Sequence, residues 1–110
     1  MVNIWATSCS PCREEIPELN NLKNKYKNNS EIEFIAISNE NPKRIENFLS
    51  KHEFNYTQTL LSKEKLNKIT NSYPLHLIIN KNKIIDFYFS GYSKQTSSLI
   101  ETEINNQLKK

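Results

Sequence analysis

Glycine occurs once in the 110 residues, cysteine twice, and tryptophan and methionine once each. With a single glycine, the left-handed turn positions are expected to fall largely to asparagine, the next-best residue there. Two cysteines, Cys9 and Cys12, exclude a disulfide scaffold, because a bridge closing so short a loop removes little freedom from the unfolded chain. No apolar run approaches the roughly 20 residues of a membrane span. No signal-peptide pattern precedes the first strand, so the chain as given reads as soluble. A strong charge of either sign is also missing. Fifteen Lys and Arg against twelve Asp and Glu leave +3, with 7 basic and 8 acidic groups in residues 1–55 and 8 and 4 in residues 56–110. No basic cluster alternates with aromatics, which argues against a nucleic-acid surface.

What is present fits one small domain spanning 1–110. Counted with Gly and without Tyr, apolar residues make up about a third of the chain, below the roughly 45–50% of an average domain. Sixteen Asn and 13 Lys fill the deficit. Disorder is excluded because 13 Ile, 10 Leu, 5 Phe and 5 Tyr sit in clustered, periodic runs. A chain this short hides only about 60–68% of its unfolded surface, so the core is adequate but thin.

Val2 to Ala6 reads as a short buried strand. Pro11 marks a helix start, after which Ile16, Leu19, Leu22 and Tyr26 recur at helical spacing. Pro17 lacks the N–H that would bond Arg13 and is expected to kink that helix. Ile32 to Ile37 is a second strand, nearly continuous in apolar character from Phe34 and so expected to be buried on both faces. Asn41-Pro42 caps a second helix carrying Ile45, Phe48, Leu49 and His52. Phe54 to Leu61 is extended with mixed patterning, and Ser62 caps a short helix through Leu66 and Ile69. Leu75–Ile79 and Ile84–Phe89 form a hairpin across Asn80-Lys81-Asn82, closed by Ser90-Gly91. A last helix begins near Lys94, with Ile100, Ile104 and Leu108 on one face. The order β-α-β-α-(extended, short α)-β-β-α predicts an α/β domain: a four-stranded mixed sheet with helices on both faces.

The chemistry is concentrated in Trp5-Ala6-Thr7-Ser8-Cys9-Ser10-Pro11-Cys12, which ends a strand and opens a helix. A thiol at a helix N-terminus faces unpaired N–H groups and the positive end of the dipole, which stabilise its thiolate. Cys9 is placed at the exposed tip and Cys12 one turn on, shielded beneath it. That asymmetry suits attack by Cys9 on a disulfide and resolution by Cys12. The pair is otherwise half a zinc site or incidental. Zinc needs four ligands, no second cysteine pair exists, and neither His52 nor His76 stands at a ligand spacing. His76, inside an apolar strand, reads as a packed, hydrogen-bonded histidine. His52 reads as a cation near a helix C-terminus, and Arg13 and the Lys and Asn runs read as solvated faces.

Trp5 to Pro17, WATSCSPCREEIP, resembles the active-site segment of TlpA/ResA-type thiol–disulfide oxidoreductases of the thioredoxin superfamily. Tyr73 to Ile84, YPLHLIINKNKI, is similar to that family's proline-loop and hairpin segment, and the intervening element order also fits. The resemblance implies a thioredoxin-like fold and exchange of electrons with protein disulfides through Cys9 and Cys12, as a reductant outside the cytoplasm. Cytochrome c maturation is one such setting, and the compartment implied is periplasmic or membrane-tethered. It implies that Pro74 follows a cis bond and faces the disulfide, that Tyr73 offers backbone groups to substrate, and that Glu15 is an acid near the cysteines. Trp5, Ser8, Ser10 and Pro11 are the further residues expected around the substrate, Trp5 as core or wall of the site rather than as a binding aromatic. The partners implied are protein thiols and disulfides and an upstream thiol electron donor; no cofactor, metal, nucleic acid or membrane contact by this segment is expected, and the chain is expected to be a monomer. Glu15 lies three residues beyond Cys12 on the same helical side, which suits it to take that thiol's proton.

Departures are equally specific. Many relatives have Trp before the first cysteine where Ser8 stands, and thioredoxin itself has a buried Asp where Asn3 stands, so Asn3 cannot accept a proton. Asn80 stands where relatives usually have Asp, and the following turn has no glycine. The family normally carries upstream strands, which this chain is expected to lack. Two rival readings are a cytoplasmic thioredoxin-like reductase and a non-catalytic module that holds an extended peptide in the proline-loop groove.

Overall fold

The computed structural model describes residues 1–109. Nine elements follow in order: β1 (Val2–Ile4), α1 (Ser10–Lys25), β2 (Ile35–Ser38), α2 (Pro42–Leu49), β3 (Thr57–Leu60), α3 (Lys63–Asn67), β4 (Leu75–Ile79), β5 (Ile85–Ser90) and α4 (Thr96–Leu108). Three helices begin where a side chain satisfies an otherwise unpaired N–H. The Cys9 sulfur accepts from the Cys12 amide, Asn41 Oδ1 from Lys43 at 2.8 Å, and Ser62 Oγ from Lys65 at 3.2 Å. Pro17 lies within α1, yet the helix continues to Lys25 as one element. Ile16 and Leu19 beside it are buried, and their packing holds the helix across the missing bond. The second helix ends at Leu49, so His52 lies beyond it, exposed and stacked on Phe48 with ring centroids 4.4 Å apart.

The sheet has five strands in the order β3-β2-β1-β4-β5, not the four expected. The added strand comes from the extended stretch after Phe54: β3 runs parallel to β2, with Thr57 opposite Ile35 and Leu60 opposite Ser38. Thr57, Thr59 and Leu60 are exposed. An edge strand that buries neither face has no alternating pattern by which sequence could identify it. β1 is parallel to β2 and antiparallel to β4, while β4 and β5 form the hairpin. At the hairpin tip the left-handed residue is Lys83, with φ 66°, rather than an asparagine. Asn80 contributes its side chain instead, Oδ1 accepting from Asn82 and Ile84 at 2.8 and 3.1 Å. Gly91, with φ 88°, is the other positive-φ residue among those described.

Alternation along the strands divides the interior. Ile16, Leu19 and Leu22 of α1, Ile45 of α2 and Ile100 and Ile104 of α4 pack with Ala36 and Ile78 on one face of the sheet. Val2, Ile4, Leu75 and Leu77 point to the other face, where Leu66 of α3 covers them. Asn3 and His76, at the intervening strand positions, therefore belong to the first face. β2 alternates half-buried Ile35 and Ile37 with buried Ala36 and Ser38, so its burial is less complete than its apolar run implied. α4 is further tied to α1 by Tyr26 Oη donating to Asn105 Oδ1 at 2.6 Å and by the exposed Lys25–Glu101 pair at 2.9 Å. Exposed pairs of that kind contribute little; burial dominates.

Leu66 is fully buried and is the one α3 side chain in its cluster. Leu66→Ala is expected to destabilise the domain by about 2–5 kcal/mol, the usual range for leucine deletions in a core. A urea titration checks this as a lowered midpoint with an unchanged slope.

Candidate active site

The loop from Trp5 to Cys9 leaves the end of β1 and turns directly into α1. Cys9 N–H donates to Ala6 O at 3.1 Å, and Cys9 itself, extended at φ −87° and ψ 108°, is the helix cap. Cys9 and Cys12 are joined as a disulfide with Cα atoms 5.2 Å apart, inside the range such a bridge requires. Cys12 is buried to 1% exposure, whereas Cys9 is half-buried. Cys9, the less buried of the two, sits at the N-terminal end of a 16-residue helix, where a thiolate is stabilised.

A polar clamp fixes this loop from behind. Glu40, just before α2, accepts from Thr7 N–H at 2.7 Å and from Thr7 Oγ1 at 2.6 Å. Arg44 Nε lies 3.1 Å from the same carboxylate, and Arg13 Nη1 donates to Thr7 O at 2.7 Å. Thr7 thereby has its amide, hydroxyl and carbonyl all engaged. Local sequence carries no signal for the Glu40–Thr7 contact, since the partners are 33 residues apart; Arg13 is exposed on α1 as expected and in addition holds the loop through Thr7 O.

Three residues on from Cys12 in α1, Glu15 is buried to 1% exposure. Asn3 and His76 are directly opposite one another in the β1–β4 ladder, and both point at this carboxylate. Asn3 Nδ2 donates to Glu15 Oε1 at 3.1 Å, and His76 Nε2 lies 3.0 and 2.8 Å from Oε1 and Oε2. Burial raises the Glu15 pKa above the ordinary carboxylate value; the hydrogen bonds and charge of His76 and the Asn3 amide oppose this, and Glu18 adds to it. His76 is packed and hydrogen-bonded through both ring nitrogens, to the Phe89 carbonyl and to the Glu15 carboxylate. The sequence signal for this was two polar residues, Asn3 and His76, at inward positions of otherwise apolar strands.

The remaining expected site residues divide. Ser8, Ser10 and Pro11 are exposed around Cys9. Tyr73 is half-buried, Pro74 is fully buried, and the bond between them is cis. Since Leu75 pairs with Ile4, the register brings Tyr73-Pro74 beside the residues that follow β1, at the cysteine end of the sheet. Trp5 does not join this surface. It is 1% exposed, with its ring 5.2 Å from Phe48 and 5.1 Å from Phe54, and forms the core behind the loop rather than a substrate contact. Among the described residues no three His, Cys, Asp or Glu side chains come together as a metal-ligand group.

Comparison with known proteins places this geometry. The AhpC/TSA family model matches residues 1–88. The chain is 28% identical over 101 residues to the thiol-disulfide oxidoreductase ResA of Bacillus cereus (strain ZK / E33L), covering 86% of this chain and 56% of that protein. It is 26% identical over 89 residues to the thioredoxin-like protein YneN of Bacillus subtilis (strain 168), covering 77% and 52%. The chain thus spans about half the length of the curated relatives it matches. The crystal structure of StoA from Bacillus subtilis superposes with a TM-score of 0.76 at 17% identity, over 92% of this chain and 78% of that one, which shows the fold to be thioredoxin-like. With the family match over residues 1–88 and the ResA and YneN relatives, the chain belongs to the AhpC/TSA family and is a TlpA/ResA-type protein of the thioredoxin superfamily.

Proposed function

We propose that this protein is a thiol–disulfide oxidoreductase that reduces protein disulfides through Cys9 and Cys12. The observation that carries the reading is the Cys9–Cys12 bridge at the start of α1, with Cys9 half-buried and Cys12 fully buried. In the reduced protein the Cys9 thiolate attacks one sulfur of a substrate disulfide, forming a mixed disulfide and releasing the first substrate thiolate. Cys12 then loses its proton and its thiolate attacks Cys9 Sγ, which releases the second substrate sulfur and closes the Cys9–Cys12 bond. Two electrons pass to the substrate, and an upstream thiol donor must return them.

Glu15 takes the Cys12 proton in this scheme. Burial disfavours the Cys12 thiolate, so resolution needs a base, and a carboxylate one helical turn away whose pKa is raised is suited to the task. Tyr73-Pro74 forms the substrate groove: position 74 has no N–H to compete, and Tyr73 offers its backbone beside Cys9, with Ser8, Ser10 and Pro11 as the rim. The setting we assign is extracytoplasmic, cytochrome c maturation being one example of a process served there. It is supported by the likeness to ResA and tested by locating the tagged full-length protein in cell fractions.

Two experiments test the chemistry. Cys12→Ser is expected to accumulate mixed disulfides with partner proteins, because Cys9 attacks but is not released, while Cys9→Ser traps less than about a tenth as much. Non-reducing electrophoresis of both variants reads this out, and equal trapping removes the assigned roles. Glu15→Gln is expected to slow resolution on the order of 100-fold at pH 7, the lower end of what a positioned base contributes. Initial attack by Cys9 should change little. Rapid mixing with a model disulfide times the two steps separately; wild-type resolution in Glu15→Gln returns Glu15 to an ordinary buried acid.

A further inference from the structure

The hydrogen bonds of His76 determine how many protons it shares with Glu15. Nδ1 lies 2.9 Å from the Phe89 carbonyl oxygen. A carbonyl can only accept, so Nδ1 carries a hydrogen and Nε2 is the atom left for Glu15. Nε2 then either donates to a carboxylate or accepts from a carboxylic acid. Both arrangements contain one proton between Nε2 and Glu15 Oε2. Removing that proton would set a nitrogen lone pair against a carboxylate 2.8 Å away in a site where neither side chain is more than 1% exposed. The shared proton is thus fixed in place by Phe89, a residue of the neighbouring strand β5.

The geometry points to His76 as a positioning residue for the resolution step: by holding that shared proton it keeps Glu15 a base in a dry site, able to take a second proton from Cys12. The inference rests on the proposed role of Glu15 and adds the group that sustains it. The step balances. The Cys12 S–H bond breaks, its proton goes to Glu15, the sulfur electron pair forms the bond to Cys9 Sγ, and the bond between Cys9 and the substrate sulfur breaks. The departing substrate thiolate takes up a proton from water, and Glu15 returns its own to solvent. During the step a Cys12 thiolate lies one helical turn from a pair bearing a single positive charge, so charge separation in the interior is small. Without His76, burial would leave Glu15 protonated and unable to accept. Other ionisable groups coupled electrostatically to Glu15 are Glu18 on α1, Tyr56 before β3 and Tyr92 after β5. Glu18 raises the Glu15 pKa. The Tyr56 hydroxyl is raised by burial and then by Glu15, and Tyr92 by Glu18, burial and Glu15 in that order. Both phenols are thereby kept neutral, which leaves the proton shared by His76 and Glu15 as the one held at this site.

The test is the pH profile of resolution in the full chain with His76→Gln, which retains an amide that can bond Phe89 or Glu15 but carries no charge. The influences of His76 on Glu15 both lower its pKa. Their removal moves the acid limb of the resolution rate to higher pH. The rate is expected to fall at least tenfold at pH 7 and to recover toward wild type by pH 9. The double variant Glu15→Gln/His76→Gln is expected to be no slower than Glu15→Gln alone, since both act on one proton transfer. An acid limb at its wild-type position, or equal slowing at every pH, overturns the role of His76. If Glu15→Gln itself resolves at the wild-type rate, the base assignment fails first; if it is slow while His76→Gln keeps the wild-type limb, the His76 assignment alone fails. A second measurement needs no variant: nitrogen NMR of the His76 ring in the unaltered protein should show Nδ1 protonated from pH 5 to 8 in both redox states. An unprotonated Nδ1 overturns the proposal.

Discussion

A carboxylate placed out of reach of water must be held by partners or lose its charge, and Glu15 is such a group. Its two supports come from different strands of the sheet, Asn3 of β1 and His76 of β4, which the antiparallel register sets side by side. The same contacts therefore tie α1 to the centre of the sheet and fix the rotation of that helix. Cys12 is buried one turn away on the same face, and Cys9 is raised to the accessible tip. Displacing Glu15 would disturb the helix orientation and the cysteine asymmetry together. The clamp on Thr7, through Glu40 and Arg44, holds the loop that leads into the helix.

The architecture explains why so small a core suffices. Two clusters share one sheet, so every strand position of β1 and β4 except Ile79 contributes a buried side chain. The faces are unequal: three helices cover one and the short α3 the other. The polar residues of the site replace apolar ones on the more thickly covered face, where hydrogen-bond partners are within reach from two elements. Breaking either bond to Glu15 would leave an unpaired polar group inside, which costs more than the bond itself contributes.

Legibility in the sequence followed the strength of local signals. The CxxC at a strand–helix junction, the Asn41-Pro42 and Ser62 caps and the inward faces of α1 and α4 were all readable, because each depends on residues within one or two turns. β3 was not, since an edge strand exposed on both sides carries no alternation and is specified by its partner β2. Lys83 was not, because the hairpin fixes which residue takes the left-handed conformation and Asn80 is occupied through its side chain. Trp5 is legible as core or site wall, and its ring enters the aromatic group of Phe48 and Phe54, a packing partner set that only the fold brings together. Asn3 and His76 were visible as polar residues in apolar strands, while their convergence on Glu15 required the register.

Only Lys83 and Gly91 among the described residues have positive φ, and the second is the chain's sole glycine. Nearly all of this backbone therefore follows paths that a residue bearing a Cβ adopts without strain. The same scarcity acts on the unfolded ensemble, which lacks the extra freedom that glycines confer and so loses less entropy when it becomes ordered. A protein with a thin interior is favoured in this way by the stiffness of its disordered competitor, a contribution that no list of native contacts contains.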